Sequence, residues 1–257
     1  MEENKKNIRF KDLKKGDVLL CKGDGLLSDL IELFDEGTYS HAAIFDGEQV
    51  VQATLHGVVR ESIDSLKDEV FVDVYRFKKD NHFLGDKNWP ALPVIKEADK
   101  IGEEGLKYAT DHLILLGILV LTRDIDLPKI EKKILRVILD HATELLFKIM
   151  DDGKTPMVCS EVVYRSFSQA VPEGKYTLEI EGVLFTSLKT INNNIIEKDE
   201  LFDSKQKFYE AWKKARGATQ NLLYSKESFD PAVAACVTPH DLETSKTLVK
   251  IGRYVFS

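Results

Sequence analysis

The chain has 257 residues, 43% of them hydrophobic and 31% charged, with a formal net charge of -7. That length suits one large domain or two small ones, and the acidic balance argues against the basic face that a nucleic-acid partner requires. Three cysteines without a CxxC pair fit neither a disulfide framework nor a zinc ribbon.

The first element opens after a charged stretch, "MEENKKNIRFKDLKKGD", which lacks the apolar core of a signal peptide. With the cysteine pattern this predicts a reducing, cytoplasmic setting. "GDVLLCK" then reads as a strand, and "GLLSDLIELFDE" has helical spacing through Leu26, Leu27, Leu30, Ile31 and Phe34. "HAAIFD", a turn at Gly47 and "QVVQAT" predict a hairpin. A second turn at His56-Gly57 leads to "VVRES", a short helix falls around "SIDSLK", and "VFVDVYRF" alternates as a half-buried strand does.

After an irregular stretch to Pro93, residues 96–123 read as one long helical pattern and 129–150 as a second, closed by Gly153 and Pro156. Inside the first lies "LILLGILVL", residues 113–121, too short to span a bilayer. It predicts a buried helix; the alternative is a helix that lines an acyl chain or touches a membrane surface. A third helix begins at "VCSEVVYRSFSQA" and stops by Pro172. Residues 173–224 are polar and mixed. "TPHDLETS" starts a helix with Thr238 as N-cap and Pro239 at the first position, and "LVKIGRYVF" is a last strand. No repeat interrupts the chain, so a single α+β domain over 1–257 is expected, with a helical insertion around 95–150.

Cys159 falls at the first turn of its helix, where unpartnered backbone N–H groups and the helix dipole favour an anion. A thiolate is stabilised there, and the N–H of Cys159 itself can hold an oxyanion. The competing reading makes Cys159 a small hydrophobe, because Val163, Phe167 and Ala170 share its face. His41 opens a core strand and can present its imidazole at the sheet's edge. Gln52, on the next strand, comes close to His41 across the ladder if the hairpin forms. A cysteine, a histidine and an amide that orients the ring make up a thiol-hydrolase constellation.

"GDVLLCKGDG", "LSDLIELFDEGTYSHAAIFDGEQVVQA" and "PMVCSEVVYRSF" together resemble the permuted papain-like amidases of the YaeF/YiiX type. These belong to the NlpC-like superfamily, which includes lecithin-retinol-acyltransferase-like proteins. The family's "Y-S-H-x-x-I" histidine falls on His41, its "C-S-E" cysteine on Cys159 and its third polar residue on Gln52, where relatives often carry Glu. The resemblance covers roughly residues 15–77, 155–171 and 236–256. It implies a permuted papain-like fold, in which an antiparallel, partly barrel-like sheet carries the histidine and packs against the nucleophile helix. It also implies thioester chemistry on a peptide amide or an acylated lipid or small molecule, with no cofactor. An acyltransferase using the same thioester, or a binding protein that keeps the fold without turnover, are the alternatives.

Around that core, Tyr39 is a candidate to line the site and donate to an oxyanion, with a packed aromatic as the alternative. Ser160 is a candidate to donate to substrate or to nearby backbone, and Glu161 complements the helix dipole. His56 is a substitute for Gln52. Cys21 and Cys236 read as structural, His112 and His141 as core or surface residues, and no metal site is expected.

Overall fold

In the computed structural model, residues 6–54, 57–103, 108–109, 112–123, 128–180, 201–217 and 234–256 are described. Two strands are buried along almost their whole length, Val18–Lys22 (β2) and His41–Phe45 (β3), and burial on both faces puts them inside a sheet. Val50–Thr54 (β4) and Gly57–Glu61 (β5) extend it on one side. On the other lies Phe71–Lys79 (β6), followed by Leu248–Tyr254 (β10) and Asn7–Ile8 (β1). The order is β1-β10-β6-β2-β3-β4-β5, with His82–Phe83 (β7) paired to β6. Every pairing in this sheet is antiparallel except β1 with β10.

Among the described residues the sheet is not closed: β1 and β5 are its two edges. One face is covered by Ile8, Leu13, Ile63, Leu66 and Tyr254 over Leu19, Ala43 and Val74. The other carries the helices: Leu26–Asp35 (α1), Leu92–Glu103 (α2), His112–Thr122 (α3), Lys129–Asp151 (α4), Cys159–Ser168 (α5), Phe202–Gly217 (α6) and Pro239–Glu243 (α7).

Residues 96–123 are two helices instead of the single long one expected from their apolar spacing. Gly102 weakens the end of α2, and Tyr108–Ala109 (β8) leaves the helical path to pair in parallel with Thr155–Pro156 (β9). From Ile114 to Leu121 every residue of α3 is buried, packed by α1, α4 and α6, so the apolar run is a core helix. Gly117 is required there: a Cβ would run into the ring of Phe208 on α6. α6 itself was hidden in a stretch that reads as polar. Its buried stripe of Phe208, Ala211, Trp212 and Ala215 is masked in sequence by interspersed lysines.

Helix ends follow the sequence signals closely. α4 stops at Gly153, with φ of 69°, where the Gly153 and Lys154 N–H groups return to the Met150 and Ile149 carbonyls. α7 begins with Thr238 and Asp241 bonded reciprocally, side chain to backbone N–H.

The buried carboxylate Asp35, at the end of α1, joins three elements. It accepts the His240 N–H of α7 at 2.9 Å and lies 3.4 Å from Arg123, just past α3. Burial pushes its carboxyl up to about 6, against the pull of the His240 N–H, the Thr238 hydroxyl and Arg123. A folded value above the ordinary 3.8 means that the native state holds the proton more tightly than the unfolded chain. The stabilisation is full below about pH 4 and lost as pH rises through about 6. Denaturant unfolding should show Asp35→Asn matching the parent near pH 4 and exceeding it by up to about 3 kcal/mol at neutral pH. Asp35→Ala, which cannot accept the His240 N–H, should lose about 1–3 kcal/mol near pH 4, with the deficit shrinking toward neutral pH as the parent's buried carboxylate ionises.

Candidate active site

α5 meets the sheet across β3 and β4, so its first turn stands at the start of β3. Met157 and Val158 are buried and lead straight into the helix. Val158, the N-cap residue, is extended (φ -91°, ψ 156°) and has no side-chain acceptor for the first N–H groups. Val162, Val163 and Phe167 bury the helix's apolar face. Cys159 is thereby held at the first helical position, 2% exposed.

The residues after Cys159 fix this turn in place. Glu161 is fully buried, and Arg216 of α6 closes on it with two bonds of 3.0 and 3.1 Å, with Arg165 3.6 Å away. Arg216 also donates to the Pro156 carbonyl at 3.1 Å, gripping both sides of the approach to Cys159. Ser160 donates its hydroxyl to the Val237 carbonyl at 2.5 Å and is fully buried. Of the two partners expected for Ser160, the structure gives the backbone, and the contact ties α5 to the segment before α7.

His41 lies diagonally across the ladder from Gln52, whose register partner is Ala43. The predicted hairpin thus brings the pair together, with His41 Nε2 2.9 Å from Gln52 Oε1. The imidazole is also hydrogen-bonded to Cys159. Cys159, His41 and Gln52 therefore form one connected set, with His41 between the other two. Burial alone would lower the imidazole. The negative charge and hydrogen bond of Cys159, then Glu69 and Gln52, more than offset this and raise it to about 9. His41 is therefore an imidazolium at neutral pH. Because about 9 exceeds the ordinary 6.5, its contribution to stability is present below about pH 6.5 and lost as pH rises through 9.

Four neighbours were not expected at the site. Gln52 Nε2 donates to Glu61 Oε2 at 2.7 Å and to Ser65 Oγ at 3.1 Å. Glu69 keeps a buried carboxylate oxygen without a hydrogen-bond partner among the described residues, with burial and then the opposing charge of His41 acting on it. His112, at the start of α3, stands edge-on to His41 with ring centroids 5.7 Å apart. Burial and then the His41 charge push it down to about 4, leaving it neutral. Glu61 was legible in principle: Gln52 pairs with Val59, which puts Glu61 two residues on and on the same face. The other three depend on loop and helix placement that spacing does not reveal.

Tyr39 is the packed aromatic of its two readings. It is fully buried and gives its hydroxyl proton to Asp73 Oδ2 at 2.9 Å, beside the Tyr75 hydroxyl at 3.1 Å, which leaves none for an oxyanion. Asp73 in turn is closed by Arg253 and Lys250. His56 lies outside the described residues. Cys21 faces His41 in register, and burial, then Glu69 and Cys159, push its thiol well up; burial pushes Cys236 up to about 12. Both stay protonated thiols. Among the described residues no group of three or more His, Cys, Asp or Glu is arranged to hold a metal ion.

No protein-family model matches the chain, and no curated protein does. Among solved structures it is similar to that of the metalloprotein YiiX from Escherichia coli O157:H7 (DUF1105), at 14% identity and a TM-score of 0.45. The match covers 93% of this chain and 97% of that one. No helix among the described residues is long and apolar enough to cross a membrane.

Since Cys159 is the leading influence that raises His41, removing the sulfur should bring the imidazole down. NMR titration of the ring in Cys159→Ala is expected to give a midpoint below 9 by about one pH unit or more. A midpoint unmoved from 9 would mean that the two side chains do not share a charge.

Proposed function

We propose that the protein is a cysteine-dependent hydrolase of the permuted papain-like kind, which cleaves an amide or ester through a thioester. The observation that carries this reading is a buried imidazole held between the Cys159 sulfur and the Gln52 amide oxygen, with the sulfur on the first turn of a helix.

The chemistry follows from the charges. The Cys159 thiolate attacks the substrate carbonyl carbon, a C–S bond forms, and the carbonyl electrons move to oxygen. The backbone N–H of Cys159 holds that oxyanion, aided by the positive end of α5. Protonated His41 gives its proton to the departing amine or alkoxide as the C–N or C–O bond breaks. Neutral His41 then takes a proton from water, the hydroxide attacks the thioester, and collapse of the second oxyanion breaks the C–S bond. The acid leaves, and the thiolate–imidazolium couple is restored. Gln52 holds the ring in plane throughout. The substrate class is a small peptide amide or an acylated lipid or small molecule.

Iodoacetamide with peptide mapping should label Cys159 well before Cys21 or Cys236, and His41→Ala should slow that labelling by about a hundredfold or more. Equal rates at the three thiols, unaffected by His41, would make this a binding protein on a hydrolase-like fold. With a panel of acyl esters and aminoacyl amides, kcat/KM should fall as pH rises through about 9, where the imidazolium needed by the leaving group is lost. Added amine or alcohol separates the two outcomes for the thioester. Free acid as the sole product supports hydrolysis, and acyl-amine or acyl-alcohol formed in preference to acid marks a transferase.

A further inference from the structure

Resting on the reading of His41 as the base, we propose that Glu61 is a positioning residue that fixes the tautomer of His41 through the Gln52 amide. Three side chains form a diagonal row across three strands. His41 is two residues before Ala43, the partner of Gln52 on one side, and Glu61 is two residues after Val59, its partner on the other. All three therefore point to one face of the sheet.

The assignment of each atom follows from what each group can donate. An ionised carboxylate only accepts, so the Gln52 atom 2.7 Å from Glu61 Oε2 has to be the amide nitrogen. The second amide hydrogen is directed to Ser65 Oγ, 3.1 Å away. Flipping the amide would set two acceptor oxygens against each other at Glu61. The other end of Gln52 is accordingly the carbonyl oxygen, an acceptor, 2.9 Å from His41 Nε2. Nε2 must then carry a hydrogen in both the neutral and the charged ring. When neutral, His41 keeps its lone pair on Nδ1, the nitrogen left to exchange a proton with Cys159 or water.

Without Glu61 this direction is lost. A Gln52 amide free to turn over can donate to Nε2 as readily as accept from it. The turned-over form forces the hydrogen onto Nδ1, a tautomer that cannot take a proton from the thiol side. The arrangement also divides two tasks between two residues. Gln52, 5% exposed, makes the buried contact without a charge to desolvate. Glu61 is exposed at the rim, where its carboxylate stays hydrated while its charge polarises the amide toward His41. Among the described residues, Gln52 Oε1 is the hydrogen-bond partner of Nε2, while Cys159, Glu69 and His112 also face the ring.

The tautomer is read directly from the nitrogen shifts of the His41 ring, measured in a Cys159→Ala background, where the ring is neutral over a wider pH range. The Nε2–H form is expected with Glu61 present, and a mixture with the Nδ1–H form in Glu61→Gln. With Cys159 intact, Glu61→Gln should slow alkylation of Cys159 about tenfold, the scale of losing an outer orienting partner. The double change Gln52→Glu with Glu61→Gln places an acceptor-only group against Nε2 and should restore the Nε2–H form. An unchanged tautomer in Glu61→Gln overturns the proposal, whatever the alkylation rate. A tautomer that depends on Glu61 beside an unreactive wild-type Cys159 keeps the positioning role and removes the hydrolase reading instead.

Discussion

Glu161 lies fully buried two residues after Cys159, and a buried carboxylate is tolerated only where cations close on it. That need draws Arg216 from α6 and Arg165 from the next turn of α5 onto the first turn of α5, beside Cys159. Because Arg216 also holds the Pro156 carbonyl, the path into α5 and its first turn are clamped by one guanidinium. Breaking such a pair by removing one partner commonly costs about 3–5 kcal/mol. The position of the sulfur is thus set by the same ion pair that anchors a helix far along the chain. Ser160, bonded to the Val237 carbonyl, adds a second tie from the C-terminal segment.

The sheet side of the site obeys a different constraint. β3 and β4 are buried and their register is pinned by apolar residues, since a slip of one residue would turn Ala43, Ile44 and Val51 to the wrong faces. Once that register is set, His41, Gln52 and Glu61 have no choice of neighbour. The electrostatics follow from the placement. His41 is buried yet charged because Cys159 and Glu69 bring negative charge to it, and neutral His112 beside it adds no opposing positive charge.

Much of this was legible in the residues, for identifiable reasons. The strands at Val18–Lys22, His41–Phe45 and Val50–Thr54 announce themselves by short apolar runs between turn residues. The caps at Thr238 and Gly153 are local chemistry that sequence states outright. The pairing of His41 with Gln52 needed only the hairpin register. What spacing could not supply was contact between distant elements. Arg216 meets Glu161 only because α6 packs beside β9 and α4, and α6 is a lysine-rich segment whose apolar stripe is narrow. The long apolar pattern over 96–123 misled because period alone does not report the break at β8, whose partner β9 is distant in sequence. Tyr39 shows the same limit, since its hydroxyl is claimed by an aspartate on β6.

The position of β10 between β6 and β1 bears on how the chain acquires its shape during synthesis. β2, β3, β4, β5 and β6 can pair among themselves early, as neighbours in sequence mostly do. The outer edge of β6 then exposes its open N–H and C=O groups until residues 248–254 leave the ribosome, and β1 has no strand to lie against before that moment. So large a sequence separation makes the closing step slow relative to local hairpins. The interval leaves the open edge of a nine-residue strand available to other chains, so a nascent protein stalled shortly before β10 is the species most prone to pair edge to edge with its copies.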